Sequence, residues 1–131
     1  IMIMNFSGVY EMQGLKTALE KKVDSVVAEA ENMAAKPVIT QLDFQDIPGT
    51  NCYCDSLAEE EIGKRIIPWA GRTAFLDSGN YHYLTKLWLE LVKEPFELLV
   101  FDHHTDMQRP AFGGILSCGG WIREALETNE N

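Results

Sequence analysis

The chain has 131 residues, 46% hydrophobic and 24% charged, the balance of a globular domain able to bury a core without disulfides. Its 11 Lys and Arg against 20 Asp and Glu give a formal net charge of -9, which argues against a broad nucleic-acid or anionic-membrane surface, since both need clustered positive charge. No apolar run reaches the ~18 residues of a membrane span. The three cysteines are an odd number, and Cys52 and Cys54 are too close for a relaxed disulfide, so a reducing, cytoplasmic setting is expected.

Ile1 to Phe6 is a short apolar run suited to a buried strand, and it lacks the length and basic flank of a signal peptide. Leu19, Val23, Val26, Val27, Ala30, Met33 and Ala34 recur in steps of three and four, which predicts an amphipathic helix from Leu19 to Ala34. Pro37 ends it, and Val38 to Leu42 reads as a second strand. Asp43 to Asp55 is expected to be a loop. Ser56-Leu57-Ala58-Glu59 matches a capping box, with Ser56 as the cap, opening a helix to about Ile66 that Pro68 stops.

Thr73 to Leu76 is a third strand, and Asp77-Ser78-Gly79-Asn80 carries turn chemistry. Leu84, Leu87, Trp88 and Leu91 predict a helix from about Tyr81 to Lys93. Phe96 to Phe101 has the strongest strand signal, nearly continuous in apolar residues as in a central parallel strand. The Gly-rich stretch Gly113 to Gly120 leads into a last helix with Trp121, Ile122, Ala125 and Leu126 on one face, and a polar tail, Thr128 to Asn131, follows. Strands alternating with helices argue for an α/β fold with a mostly parallel sheet, whose ligands sit beyond the carboxyl ends of the strands.

Two such strand ends are rich in ligand-type residues. Ser78-Gly79-Asn80-Tyr81-His82 follows the third strand, and Asp102-His103-His104-Thr105-Asp106 follows the fourth. In extended backbone alternate residues point the same way, so Asp102, His104 and Asp106 are expected to converge while His103 faces elsewhere. Two carboxylates with one imidazole suit divalent manganese, iron or zinc, and His82 is placed to add a fourth ligand. The competing reading gives these residues capping and turn roles.

The two stretches resemble signatures of the arginase/agmatinase (ureohydrolase) family. Asp102 to Asp106 is similar to its Asp-Ala-His-x-Asp, and Ser78 to His82 to its Gly-Gly-Asp-His-Ser, in the same order and about the same separation. The resemblance implies a three-layer α/β/α fold and a binuclear manganese (Mn2+) centre that hydrolyses a guanidino, amidino or formimino carbon–nitrogen bond. Carried over by position, His82 and Asp106 bind one ion, His104 the other, and Asp102 bridges them. Catalytic residues stay unassigned, because the loop from Arg109 to Gly120 has no histidine matching the family's catalytic one. His103 replaces a small residue, and Asn80-Tyr81 replaces Gly-Asp. The family's later Asp-x-Asp pair has no counterpart, so the chain reads as the N-terminal portion, or a diverged member, of an arginase-like protein. A small-molecule substrate and further copies of the chain are the expected partners.

Two alternatives to this reading remain open. Val100-Phe101-Asp102-His103-His104 also fits the Asp-His-His manganese phosphoesterases, although their early His-x-x-x-Asp-x-Asp motif is absent after the first strand. A non-catalytic metal-binding or association domain is the third class. Among single residues, Asp43 and Asp46 are candidate extra carboxylates, and Cys52 and Cys54 a candidate zinc pair. Cys118, beside a helix start, is expected to have a lowered pKa. Trp69, Trp88 and Trp121 read as core or interface anchors. The glycines lack dinucleotide-fingerprint spacing.

Overall fold

A computed structural model describes residues 1–29 and 35–131. At its centre β1 (Met2–Asn5) is buried along its whole length, as the apolar Met2 to Met4 demand, with the polar Asn5 at its end. It pairs in parallel with β2 (Thr40–Asp43) on one side, Met2 opposite Thr40 and Asn5 opposite Asp43. On the other side lies β4 (Ala74–Phe75), also parallel, with Met2 opposite Ala74. Strand order is therefore β2-β1-β4. Parallel neighbours need long crossovers. α1 (Val9–Met12) and α2 (Leu15–Glu29) lie in the first, and α3 (Ser56–Ile66) in the second.

The mixed α/β character and the parallel sheet agree with the sequence reading. α2 begins four residues earlier than expected, and its half-buried stripe is Leu15, Leu19, Val23 and Val27. The predicted helical positions Ala30, Met33 and Ala34 lie outside the described residues. α3 buries Ala58, Ile62 and Ile66, one stripe at i, i+4 spacing. Its cap is Asp55, not Ser56: Asp55 Oδ1 accepts from Leu57 N at 3.1 Å and Ala58 N at 2.9 Å. A carboxylate satisfies two orphan amides here and also faces the positive end of the helix dipole. Gly49 (φ +72°) passes so close that a Cβ would meet the Asp55 carboxylate. Pro68 does not stop the chain abruptly but sits in a 3-10 turn, Ile67–Trp69, that extends α3.

The expected loop from Asp43 to Asp55 contains β3 (Tyr53–Cys54), and the Gly-rich stretch contains β5 (Leu116–Ser117). These pair antiparallel, Tyr53 with Ser117 and Cys54 with Leu116. Two-residue strands carry no usable periodicity, so only their mutual pairing reveals them. The helix expected from Tyr81 to Lys93 is shorter. A 3-10 turn, Gly79–Tyr81, precedes α4 (Leu84–Leu89), and tighter turns close its end. α4 packs against α5 (Trp121–Thr128), which buries Trp121 and Ala125.

The largest correction concerns Phe96 to Phe101, which forms no strand. Leu99 is 78% exposed and Phe101 91%, while Val100 packs against the core. Continuous apolar character marks a segment that gains from burial. A ladder also needs a neighbour with free backbone groups, and among the described residues the parallel sheet ends at β4. The core lies between sheet and helices, built on Met2, Met4, Phe44, Ile62, Tyr83 and Trp121. Phe6 stacks on both Phe44 and Tyr81 with ring centroids 4.8 Å apart. No helix among the described residues is long and apolar enough to cross a membrane.

Candidate functional site

His82 is positioned by the turn that follows β4. Asp77 there adopts φ +64°. Its carboxylate accepts from Phe6 N (2.7 Å), Ser7 N (2.9 Å) and Ser7 Oγ (2.6 Å), tying the ends of β4 and β1 together. The chain then turns through Gly79–Tyr81, and His82 caps that turn just before α4. The second segment is not extended as the alternation argument assumed. Asp102 Oδ1 accepts from His104 N at 3.0 Å, closing a tight side-chain turn. Asp106 takes φ +45°, and its carbonyl accepts from Ile122 N at 3.1 Å. These bends decide which side chains meet.

His82 Nδ1 lies 2.9 Å from Asp106 Oδ2 and 3.1 Å from Asp102 Oδ2. One ligand atom from each of the three residues falls within 4.8 Å of the others. Asp106 is buried, yet its Oδ2 also accepts the indole N–H of Trp121 at 2.6 Å. The His82 and Trp121 rings stand 5.1 Å apart. The His104 backbone amide, assisted by the nearby imidazole of His82, holds the Asp102 carboxyl below the usual carboxylate range. A donated Nδ1–H or a divalent cation between them would satisfy the two carboxylates that face this nitrogen.

The donor set fits one cation of the manganese, iron or zinc type, with hard oxygens and one imidazole. Of the four residues read as ligands, the structure thus brings His82, Asp102 and Asp106 together. His104 stays at the rim, its side chain 83% exposed and its Nδ1 3.4 Å from Asp102 Oδ1. His103 is exposed. Asp43 accepts from Gln45 N in its own turn, and Asp46 is engaged by both terminal nitrogens of Arg65 at 2.8 Å, so neither joins the group.

The cluster opens into a pocket of about 650 Å³ whose walls include Asn80, Gln108, Ser117, Cys52 and Cys118. Cys54 is fully buried, which pushes its thiol up to about 12. The Cys118 thiol is raised rather than lowered. Burial is the main cause and the neighbouring Cys52 adds to it, while α5 begins only at Trp121. Reading the sequence by periodicity missed Trp121 as a partner of Asp106, because an indole N–H directed at a carboxylate 15 residues away leaves no local pattern.

No protein-family model matches the chain, and no solved structure matches it. An uncharacterized protein of Thermotoga maritima is 32% identical to it over 127 residues, which is 97% of this chain and 43% of that protein. The chain therefore spans less than half the length of this relative.

Proposed function

We propose that this chain is the metal-binding part of an arginase-like, divalent-metal-dependent hydrolase. In this reading the enzyme acts on a guanidino, amidino or formimino carbon–nitrogen bond of a small molecule. The observation that carries the reading is the meeting of His82, Asp102 and Asp106 at an open pocket, together with the motif order around them. Manganese is the proposed cation, because two carboxylates outweigh one imidazole in the donor set. When bound, such a cation lowers the pKa of a water toward neutrality.

The chain's own residues have separate tasks. His82, Asp102 and Asp106 hold one ion, and Trp121 keeps Asp106 in place. A binuclear centre of the family type assigns His104, beside Asp102, to the second ion. Asn80, Gln108 and Ser117 offer hydrogen bonds to a nitrogen-rich substrate at the same pocket. A net charge of -9 favours the approach of a guanidinium or amidinium cation.

The fold proposed with this function is the three-layer α/β/α arrangement, in which Phe96 to Phe101 is a largely exposed apolar segment rather than a strand. Exposure of Leu99 and Phe101 supports association into a homo-oligomer through that segment. Three free cysteines support a cytoplasmic setting. The chain spans 43% of the relative's length, and the activity, substrate and partners are proposed for the whole protein.

Equilibrium dialysis against manganese and zinc, followed by metal analysis, tests the site directly. The chain is expected to retain close to one ion near neutral pH, and Asp106→Asn to lose it. Failure of the unmodified chain to retain either ion sinks the metal reading. Release of urea, ammonia or amine from agmatine, arginine and formiminoglutamate then tests the chemistry. Manganese-dependent cleavage of a phosphodiester instead would move the assignment to the phosphoesterase class.

A further inference from the structure

We propose that Cys52 and Cys118 form a reversible intramolecular disulfide at the rim of the pocket. The β3–β5 register pairs Cys54 with Leu116 and Tyr53 with Ser117, so the next position sets Cys52 directly opposite Cys118. Beyond the strands Cys118 N still donates to Cys52 O at 2.9 Å, keeping the two residues adjacent although Cys52 itself leaves the extended conformation at φ +63°. Directly opposed residues of an antiparallel pair have Cα atoms about 4.5–5.5 Å apart. That lies inside the roughly 4.4–6.8 Å range a disulfide spans.

Both cysteines are free, half-buried and part of the pocket wall, so a small reagent reaches them. Cys54, the third cysteine, is fully buried opposite Leu116. It is the poorer partner despite being nearest to Cys52 in sequence. The inference rests on the β3–β5 register and not on metal binding.

The co-reactant is a low-molecular-weight disulfide. Cys52, as thiolate, attacks one of its sulfurs, forming a mixed disulfide and releasing one small thiolate. Cys118, as thiolate, then attacks the Cys52 sulfur. The bond from Cys52 to the small thiol breaks, and the second small thiolate leaves. The two protein thiol protons end on the two released thiols, so two protein thiols are oxidised as one disulfide is reduced to two thiols. In a reducing compartment such a bond is transient and serves as a sensor rather than a staple. It would clamp the ends of β3 and β5 beside His82, Asp102 and Asp106.

The test incubates the intact chain, with chelator present, with oxidised glutathione. Remaining thiols are alkylated in denaturant, and the peptides are analysed by mass spectrometry. The expected product is lighter by two hydrogens before alkylation, carries a Cys52–Cys118 cross-linked peptide, and is alkylated only at Cys54. Dithiothreitol should restore three alkylated cysteines. Cys118→Ser should stop at a glutathione adduct on Cys52. Three alkylated cysteines after oxidation overturn the proposal, as does a cross-link that includes Cys54. The unmodified chain alone decides the outcome, so no variant need fold for the result to count.

Discussion

Trp121 donates its indole N–H to Asp106 Oδ2 at 2.6 Å, and the same oxygen faces His82 Nδ1 at 2.9 Å. A helix residue in the core thereby holds a buried carboxylate against the histidine that follows β4. The contact joins packing to the site. Replacing Trp121 with Phe removes the indole donor from the carboxylate and opens a small void. The expected cost is about 2–4 kcal/mol in urea unfolding. Divalent-cation affinity should fall by roughly 10- to 100-fold, since outer partners orient ligands. Unchanged stability in the Phe variant would mean the indole N–H contributes nothing there.

The two histidines should separate in a metal titration. His82→Ala removes one of the three converging donors, and at least about a 100-fold loss of manganese affinity is expected. His104→Ala removes an exposed ring at the rim, and a loss below about tenfold is expected. Calorimetric titration of both variants checks this, and equal losses would make His104 a full ligand of the first ion.

Asp77 gives the fold an acid limit. Burial works to raise its pKa, but hydrogen bonds from Ser7 Oγ, Ser7 N, Phe6 N and Ser78 N outweigh it, holding the carboxyl below its ordinary value of 3.8. A carboxyl depressed by folding stabilises the native state fully above that ordinary value. The contribution is lost as pH falls through the lower native value. Asp77→Asn should cost about 2 kcal/mol at pH 7. It should also flatten the fall in stability below pH 3.8, measured by thermal melts across that range.

The start of α3 discriminates between two caps. Asp55→Ala removes the acceptor of two backbone amides and should destabilise the chain by about 1 kcal/mol. Ser56→Ala should stay within about 0.5 kcal/mol. Chemical denaturation of the pair reads the difference directly.

Leu99 and Phe101 carry the exposed apolar segment. Changing both to Lys should shift folding stability by no more than about 0.5 kcal/mol, because neither side chain is packed. Self-association measured by light scattering should fall in the same variant. A large loss of stability would show that these side chains are buried in solution.

The sequence by itself determined the elements whose signal is local. The apolar run Met2 to Met4 dictates a buried strand, and the spacing of Ala58, Ile62 and Ile66 dictates one buried helix face. Residue chemistry after β4 and after Phe101 was enough to direct attention to His82, Asp102 and Asp106. Tertiary structure decided what depends on distant partners. Phe96 to Phe101 has strand composition, yet hydrogen-bonded pairing requires a neighbour that composition does not specify. Asp55 displaces Ser56 as cap because the helix begins at Ser56, one residue earlier than the capping-box reading required, and the close pass of Gly49 leaves room for the Asp55 carboxylate. The turn at Asp102 and the positive φ of Asp106 break the period-two alternation. Three of the four ligand-type side chains therefore converge, and His104 does not. Opposition of Cys52 to Cys118 likewise exists only once two very short strands pair. Periodicity reports which face of an element is buried; the meeting of side chains from different segments is set by backbone bends and long-range pairing.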